Sequence, residues 1–317
     1  MKNLSIELLK FIAIFLILNS HFDVLYGNYS ILGTGGTLGD AFFFFASGFT
    51  IFIGRFDRFD NWYKRRIKRI YPSIIVWALV LSLAGIRHYT PVKILFGGGY
   101  WFVSCIMCYY LVLYFVRKFA EHKPLVPFVA CCAVILAWFF LEGRALTNIY
   151  SHNHFKWAFF FLFMLAGAYV GNGTIKVQPK PWRDLIILLL SLVLYYGYQK
   201  LADVNPALRP GQTVTLIPLM GIVISAYNLC CSGAMVRFVH SRAGAVVRFI
   251  AGLCLEAYIV QYVIIDIISC KLPNQFPLNI IAAVVLTIVF AYILRCLSRL
   301  FLQIFDKEPF DWAAIFK

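Results

Sequence analysis

Charge is scarce in this sequence. Charged residues make up 14% of its 317 positions, whereas a soluble domain carries roughly 25%. Hydrophobic residues reach 62% and the mean hydropathy is +0.79, which excludes a soluble enzyme with a solvated surface of ordinary size. A disulfide framework is missing as well: the nine cysteines, an odd number, are scattered mostly inside apolar runs. Cys105 and Cys108 make a CxxC, but between Phe102 and Tyr109 they read as small packing residues. No zinc ligand set, P-loop or dinucleotide fingerprint occurs, so no metal site is expected. With no soluble element to read a groove, the net charge of +15 does not argue for nucleic acid.

What fills the chain instead is a succession of apolar runs of about 20 residues, the length that crosses a bilayer core. Ten spans are expected, at about 8–25, 38–54, 71–88, 99–117, 124–141, 157–172, 183–199, 212–230, 247–269 and 278–301. The expected architecture is an all-α polytopic transmembrane bundle forming one domain over residues 1–317. No small-residue cleavage site follows the first run, which is therefore expected to stay as a span. With a cytoplasmic N-terminus, 22 of the 29 Lys and Arg residues fall in inner segments, which places both termini inside. The positive charge thus reports topology first. It also suits anionic lipid headgroups or an anionic cytosolic ligand.

A few polar residues interrupt this pattern. In the first run, Lys10 and His21 are eleven residues apart, about three helical turns, so they share a face some ~16 Å apart along the axis. Glu7 precedes Lys10 by three residues and can pair with it. His21 is either an interfacial cap or a functional group facing the bundle interior. Gly35 and Gly36, in a glycine-rich stretch before the second span, serve a turn or a close approach to a ligand. Ser47 and Gly48 permit tight helix contact. Seven basic residues crowd residues 55–69, a cytoplasmic loop in this reading. Arg66 and Arg69 lie three apart just before Pro72, beside Trp62 and Tyr63. The cluster is either a topology anchor or a seat for phosphates and a purine ring.

Tyr100 and Trp101 open the fourth span, where an aromatic belt is expected. His152 and His154 lie in an outer loop without a nearby cysteine or carboxylate and read as solvated. Pro218 is expected to bend the eighth span. Glu256 and Gln261 lie within the ninth and need partners on other helices.

In this order the motifs resemble the integral-membrane O-acyltransferases of the acyltransferase family 3 type, many of which acetylate bacterial surface glycans. The resemblance rests on Lys10 with His21, Gly35-Gly36, Ser47-Gly48-Phe49 and Arg66-x-x-Arg69. Tyr100-Trp101-Phe102 and Glu256 with Tyr258 add to it. It implies an enzyme of the bacterial inner membrane that moves an acyl group from cytosolic acyl-CoA, by default acetyl-CoA, to an acceptor hydroxyl. The acceptor it implies is a surface glycan or lipid-linked saccharide. His21 is then the general base, Lys10, Arg66 and Arg69 hold the donor, and Glu7, Gly35, Gly36, Ser47, Trp101 and Glu256 support the site. No cofactor is implied beyond acyl-CoA as co-substrate, and direct transfer is preferred to an acyl-enzyme. The family's basic residue is usually arginine, so Lys10 keeps the charge without the planar fork. Gln261 stands where some relatives have histidine and is given no proton-transfer role. Because the chain ends just after the tenth span, without the extra periplasmic domain of some relatives, the acceptor is expected to bind the membrane portion. The competing class is a transporter or flippase, against which stands the lack of an internal repeat or of paired interrupted helices.

Overall fold

The computed structural model describes residues 3–151, 154–305 and 309–316. Among them are fourteen α-helices and no strand, so the fold is an all-α membrane helix bundle. The apolar runs require this, because in lipid a helix satisfies its backbone groups within its own segment. In chain order the helices are α1 (Leu4–His21), α2 (Gly36–Ile53), α3 (Phe59–Leu83), α4 (Pro91–Leu95) and α5 (Trp101–Ala120). Then come α6 (Leu125–Leu141), α7 (Lys156–Gly171), α8 (Pro181–Val204), α9 (Leu216–Cys230) and α10 (Gly233–His240). The last are α11 (Arg242–Gly252), α12 (Cys254–Lys271), α13 (Leu278–Ile304) and α14 (Trp312–Phe316). Among the described residues six helical segments, built on α1, α2, α5, α8, α9 and α13, are long and apolar enough to cross a membrane. A seventh is added if α11 and α12, bent by 70°, count as one broken span.

Three details depart from the sequence reading. The basic cluster does not occupy a loop: from Phe59 it is wound into α3, which runs unbroken through Pro72. The expected ninth span, 247–269, is instead broken at Leu253 between α11 and α12. Pro218 does not bend a span, because it lies in the first turn of α9, where a missing N–H removes no helical hydrogen bond.

The chain divides into two compact units. The first comprises Met1–Ala13, Thr37–Arg55 and Val112–Arg248. In this unit α2 packs closely on α7 through small residues. A Cβ on Gly48 would collide with the Met164 carbonyl, and one on Gly167 with the Phe45 carbonyl. On Gly171, one turn further along, it would stand 2.7 Å from the Phe49 oxygen. Small residues at four-residue spacing let two membrane helices approach to backbone contact. Phe45 and Phe49 then reach past this seam to Tyr227 of α9, at ring distances of 5.2 and 5.7 Å. The end of α2 is closed by Arg117 of α5, which donates to the carbonyls of Ile51 and Gly54, both at 2.8 Å. Carbonyls left over at a helix end are thereby satisfied.

The second unit comprises Ile14–Gly36, Phe56–Leu111 and Phe249–Lys317. Its frame is α12 packed against α13 and α3. Asn279, at the head of α13, donates to the Leu25 carbonyl at 2.6 Å and ties the turn after α1 to this frame. Asn19 donates to the carbonyls of Leu32 and Thr34, at 2.7 and 2.9 Å, and folds the following loop back on α1.

Candidate active site

The chemistry-bearing residues of the second unit fall into three neighbouring groups. The first surrounds His21, the last residue of α1. The returning loop brings Gly35 and Gly36 against that helix. A Cβ on Gly35, whose φ is +100°, would stand 2.9 Å from Leu16, and one on Gly36 would strike the Ser20 hydroxyl. Both contacts lie within the last two turns before His21, so the glycine pair is needed for close approach to α1 itself. From α12, the Tyr262 hydroxyl stands 3.4 Å from His21 Nε2, long for an O–H···N contact. The two rings meet edge to face at 5.1 Å and 63°.

Tyr262 belongs to an aromatic cluster. Its ring lies 5.9 Å from Tyr100 and 6.1 Å from Tyr258, its neighbour one turn away on α12. Phe102 packs on Tyr258 at 5.4 Å, and the Tyr100 hydroxyl donates to the Ile259 carbonyl at 3.0 Å. Tyr100 is therefore buried against α12. Trp101 is half-buried at the start of α5, with its ring edge-on to Phe102 at 5.9 Å.

The second group centres on Glu256, in the first turn of α12. Its carboxylate accepts from the Ser73 hydroxyl of α3 at 3.3 Å and from the Arg295 guanidinium of α13 at 3.1 Å. Arg295 also donates to the Gly252 carbonyl, at the break between α11 and α12. One arginine thus ties a buried acid to a backbone group freed by the broken helix. Gln261, expected to need partners on other helices, is fully buried, and neither end of its amide has a hydrogen-bond partner among the described residues. Such groups are rare because each forfeits its hydration.

The third group lies further back along α3. Arg66 stacks over the fully buried Trp62 ring, 4.4 Å from its centroid, while Arg69 is exposed. Arg65 pairs with Asp57 at 2.5 Å. Residues 66, 69 and 73 fall on one side of a 3.6-residue helix. The side that presents both arginines therefore also carries the serine that meets Glu256.

Glu7, Lys10 and Ser47 belong to the first unit. Glu7 and Lys10 form the ion pair their spacing implies, at 2.7 Å, with both side chains largely buried. Ser47 lies beside Gly48 on α2, and its carbonyl accepts from Thr50 at 3.0 Å. Among the described residues no disulfide joins any of the nine cysteines, and Cys105 is buried while Cys108 is exposed. His154 is exposed, and His152 lies outside the described residues.

Sequence reasoning missed Tyr262, Ser73 and Arg295. Arg295 had a signal, being a cation within an apolar helix and a natural counterpart for Glu256. Tyr262 had a weaker one in its four-residue spacing from Tyr258.

No curated protein and no solved structure matches the chain. The model of acyltransferase family 3, described as an acyltransferase domain, matches residues 3–296, from the first residues of α1 to the last turns of α13. That span takes in the histidine at the end of α1, the α3 arginines and the buried Glu256 with both its partners. The chain is a membrane acyltransferase and belongs to acyltransferase family 3.

Proposed function

We propose that the protein transfers an acyl group, acetyl by default, from cytosolic acyl-CoA to a hydroxyl of a surface glycan or lipid-linked saccharide. The observation that carries the proposal is His21: an imidazole at the end of a membrane helix, held edge-on by Tyr262 and approached at Nε2 by a hydroxyl. Neutral imidazole accepts a proton near pH 7. In the proposed step the acceptor hydroxyl approaches His21 as the Tyr262 hydroxyl does and gives its proton to the ring. Its oxygen bonds to the thioester carbonyl carbon, the carbon–sulfur bond breaks, and the imidazolium returns the proton to the leaving thiolate. Arg69 and Arg66 are assigned to the donor's phosphates, with Trp62 fixing the Arg66 plane from beneath. Lys10, three turns before His21 on the same helix, is assigned to the donor as well, with Glu7 holding its ammonium. Gly35 and Gly36 seat the end of α1. Tyr100, Trp101 and Phe102 support Tyr258 and Tyr262, and Glu256 with Arg295 braces the head of α12.

Ten spans, both termini cytoplasmic, a single domain over 1–317 and a bacterial inner membrane belong to the same proposal. A transporter or flippase is the second reading, and the 70° break between α11 and α12 favours it. Interrupted helices in transporters come in matched positions, whereas among the described residues one bent pair occurs.

The test is transfer of radiolabel from acetyl-CoA to cell-surface glycan. His21→Ala is expected to lower the rate by ~10²-fold or more, the contribution of a positioned general base. Normal labelling by a stably inserted His21→Ala protein removes the base role. Label transport across vesicles without transfer would favour the second reading.

A further inference from the structure

Away from these residues, the first unit contains a groove that the proposed chemistry does not use. A cavity of about 660 Å³ runs along α9 between α6 and α8, with Ile135, Leu136, Leu162, Ile187 and Ile217 among its walls. A second cavity of about 540 Å³ adjoins it, bordered by Lys176 and Gln178 and sharing Arg183, Met220, Ile224 and Asn228 with the first. Ligand sites commonly measure 300–1,000 Å³. From Ile217 to Asn228 the groove follows eleven residues of helix, about 16 Å at 1.5 Å per residue. Half of a ~30 Å hydrocarbon core is about the same length. The whole groove is therefore about as long as a single leaflet is deep, and its Ile217 end is lined mainly by apolar side chains.

The other end is polar and carries net positive charge. Asp184, 1% exposed, accepts from the Lys180 backbone at 2.7 Å, from Arg183 Nε at 3.0 Å and from Asn228 Nδ2 at 3.3 Å. Arg183 remains 45% exposed, and Lys176 and Lys180 are both exposed. Arg183 and Lys176 line the cavities and Lys180 is the N-cap of α8, against the one carboxylate of Asp184, and the helix dipole at that start also favours an anion. Asn228, 4% exposed and shared by both cavities, spends its amide N–H on Asp184. Its Oδ1 is left without a hydrogen-bond partner among the described residues. That oxygen accepts only from a donor, so a headgroup offering a hydroxyl suits it and a quaternary ammonium does not.

We infer that this groove is a binding site for one anionic glycerophospholipid whose headgroup carries a free hydroxyl, as in phosphatidylglycerol. The phosphate rests among Lys176, Lys180 and Arg183, the hydroxyl reaches Asn228, and an acyl chain lies along α9. In the proposed orientation this end faces the cytosolic leaflet. A soluble phosphate ester satisfies the cations but leaves the apolar wall empty, which is why a lipid is the occupant assigned. The inference depends on the chain being a membrane protein and not on the acyl-transfer proposal.

Native mass spectrometry of the full-length protein, titrated in detergent with phosphatidylglycerol, phosphatidylcholine or inorganic phosphate, tests it. The wild type should retain one phosphatidylglycerol in preference to phosphatidylcholine. Lys176→Ala with Lys180→Ala should weaken that lipid by roughly 30-fold, ~5-fold for each lysine near an anionic headgroup. These lysines are exposed, so their loss should leave the melting temperature unchanged. Ile224→Trp, which fills the junction of the two cavities, should abolish retention of either lipid. Equal retention of both lipids by the wild type overturns the inference, as does undiminished binding by the lysine double variant. Displacement of the lipid by millimolar phosphate alone marks a free-anion site and overturns it too.

Discussion

Replacing Arg295 with methionine isolates one buried interaction. The substitution keeps an unbranched apolar stem and deletes the guanidinium. Glu256, with its side chain 8% exposed, then keeps only the Ser73 hydroxyl at 3.3 Å, and the Gly252 carbonyl loses its donor. Removing one partner of a buried ion pair costs about 3–5 kcal/mol, because the remaining charge stays desolvated. Arg295 is itself 20% exposed, so water reaches part of the site and the lower end of that range is expected. The orphaned backbone carbonyl adds about 1 kcal/mol. A loss of ~3–4 kcal/mol follows, read as a lowered thermal midpoint of the detergent-solubilised protein. Pairing Arg295→Met with Glu256→Gln removes both charges and should recover ~2 kcal/mol or more, a coupling that a double-mutant cycle measures directly. Arg58→Met is the control, since that side chain is 84% exposed and its pairing with Asp60 contributes little. Were Arg295→Met no worse than Arg58→Met, or the double variant additive, Arg295 would not be the brace for Glu256.

Tyr262→Phe keeps the edge-to-face contact on His21 and should retain most of the transfer rate. Tyr262→Ala should lower kcat by ~2- to 10-fold, the worth of one such aromatic pair, with KM for the donor unchanged. Arg66→Ala and Arg69→Ala should each weaken acyl-CoA binding by ~10-fold or more, as loss of a charge-assisted hydrogen bond requires, in a titration with a non-transferable thioether analogue. Unaltered binding reduces the cluster to a topology anchor. Gly167→Leu should lower the melting temperature or prevent assembly, because its Cβ alone meets the Phe45 carbonyl. Gly197→Ala should not, because its Cβ meets nothing within 4 Å.

Which parts of this protein can be read from its sequence depends on how local the determining physics is. Apolar run length selects helix wherever lipid forbids unsatisfied backbone, so helices lie in every run expected to span. Fixed helical spacing likewise places Glu7 beside Lys10 and Arg66 one turn from Arg69. The Gly35-Gly36 pair marks itself as a place of close approach, but what comes close is α1, which only the return of the loop decides. Pro72 and Pro218 look alike in sequence. One sits inside an unbroken 25-residue helix and the other in a first turn, because where each helix begins depends on its tertiary contacts.

Composition, span-forming runs and the ordered set His21, Gly35-Gly36 and Arg66-x-x-Arg69 are properties of the sequence alone, and they carry the fold class and the family. Tertiary structure alone decides that Tyr262 faces His21, that Arg295 rather than a nearer cation neutralises Glu256, and that Gln261 finds no hydrogen-bond partner among the described residues. Tyr262 lies 241 residues from His21, and Arg295 lies 39 from Glu256. No local periodicity couples positions so far apart. Only the packing of α12 beside α1, α3 and α13 brings their side chains into range.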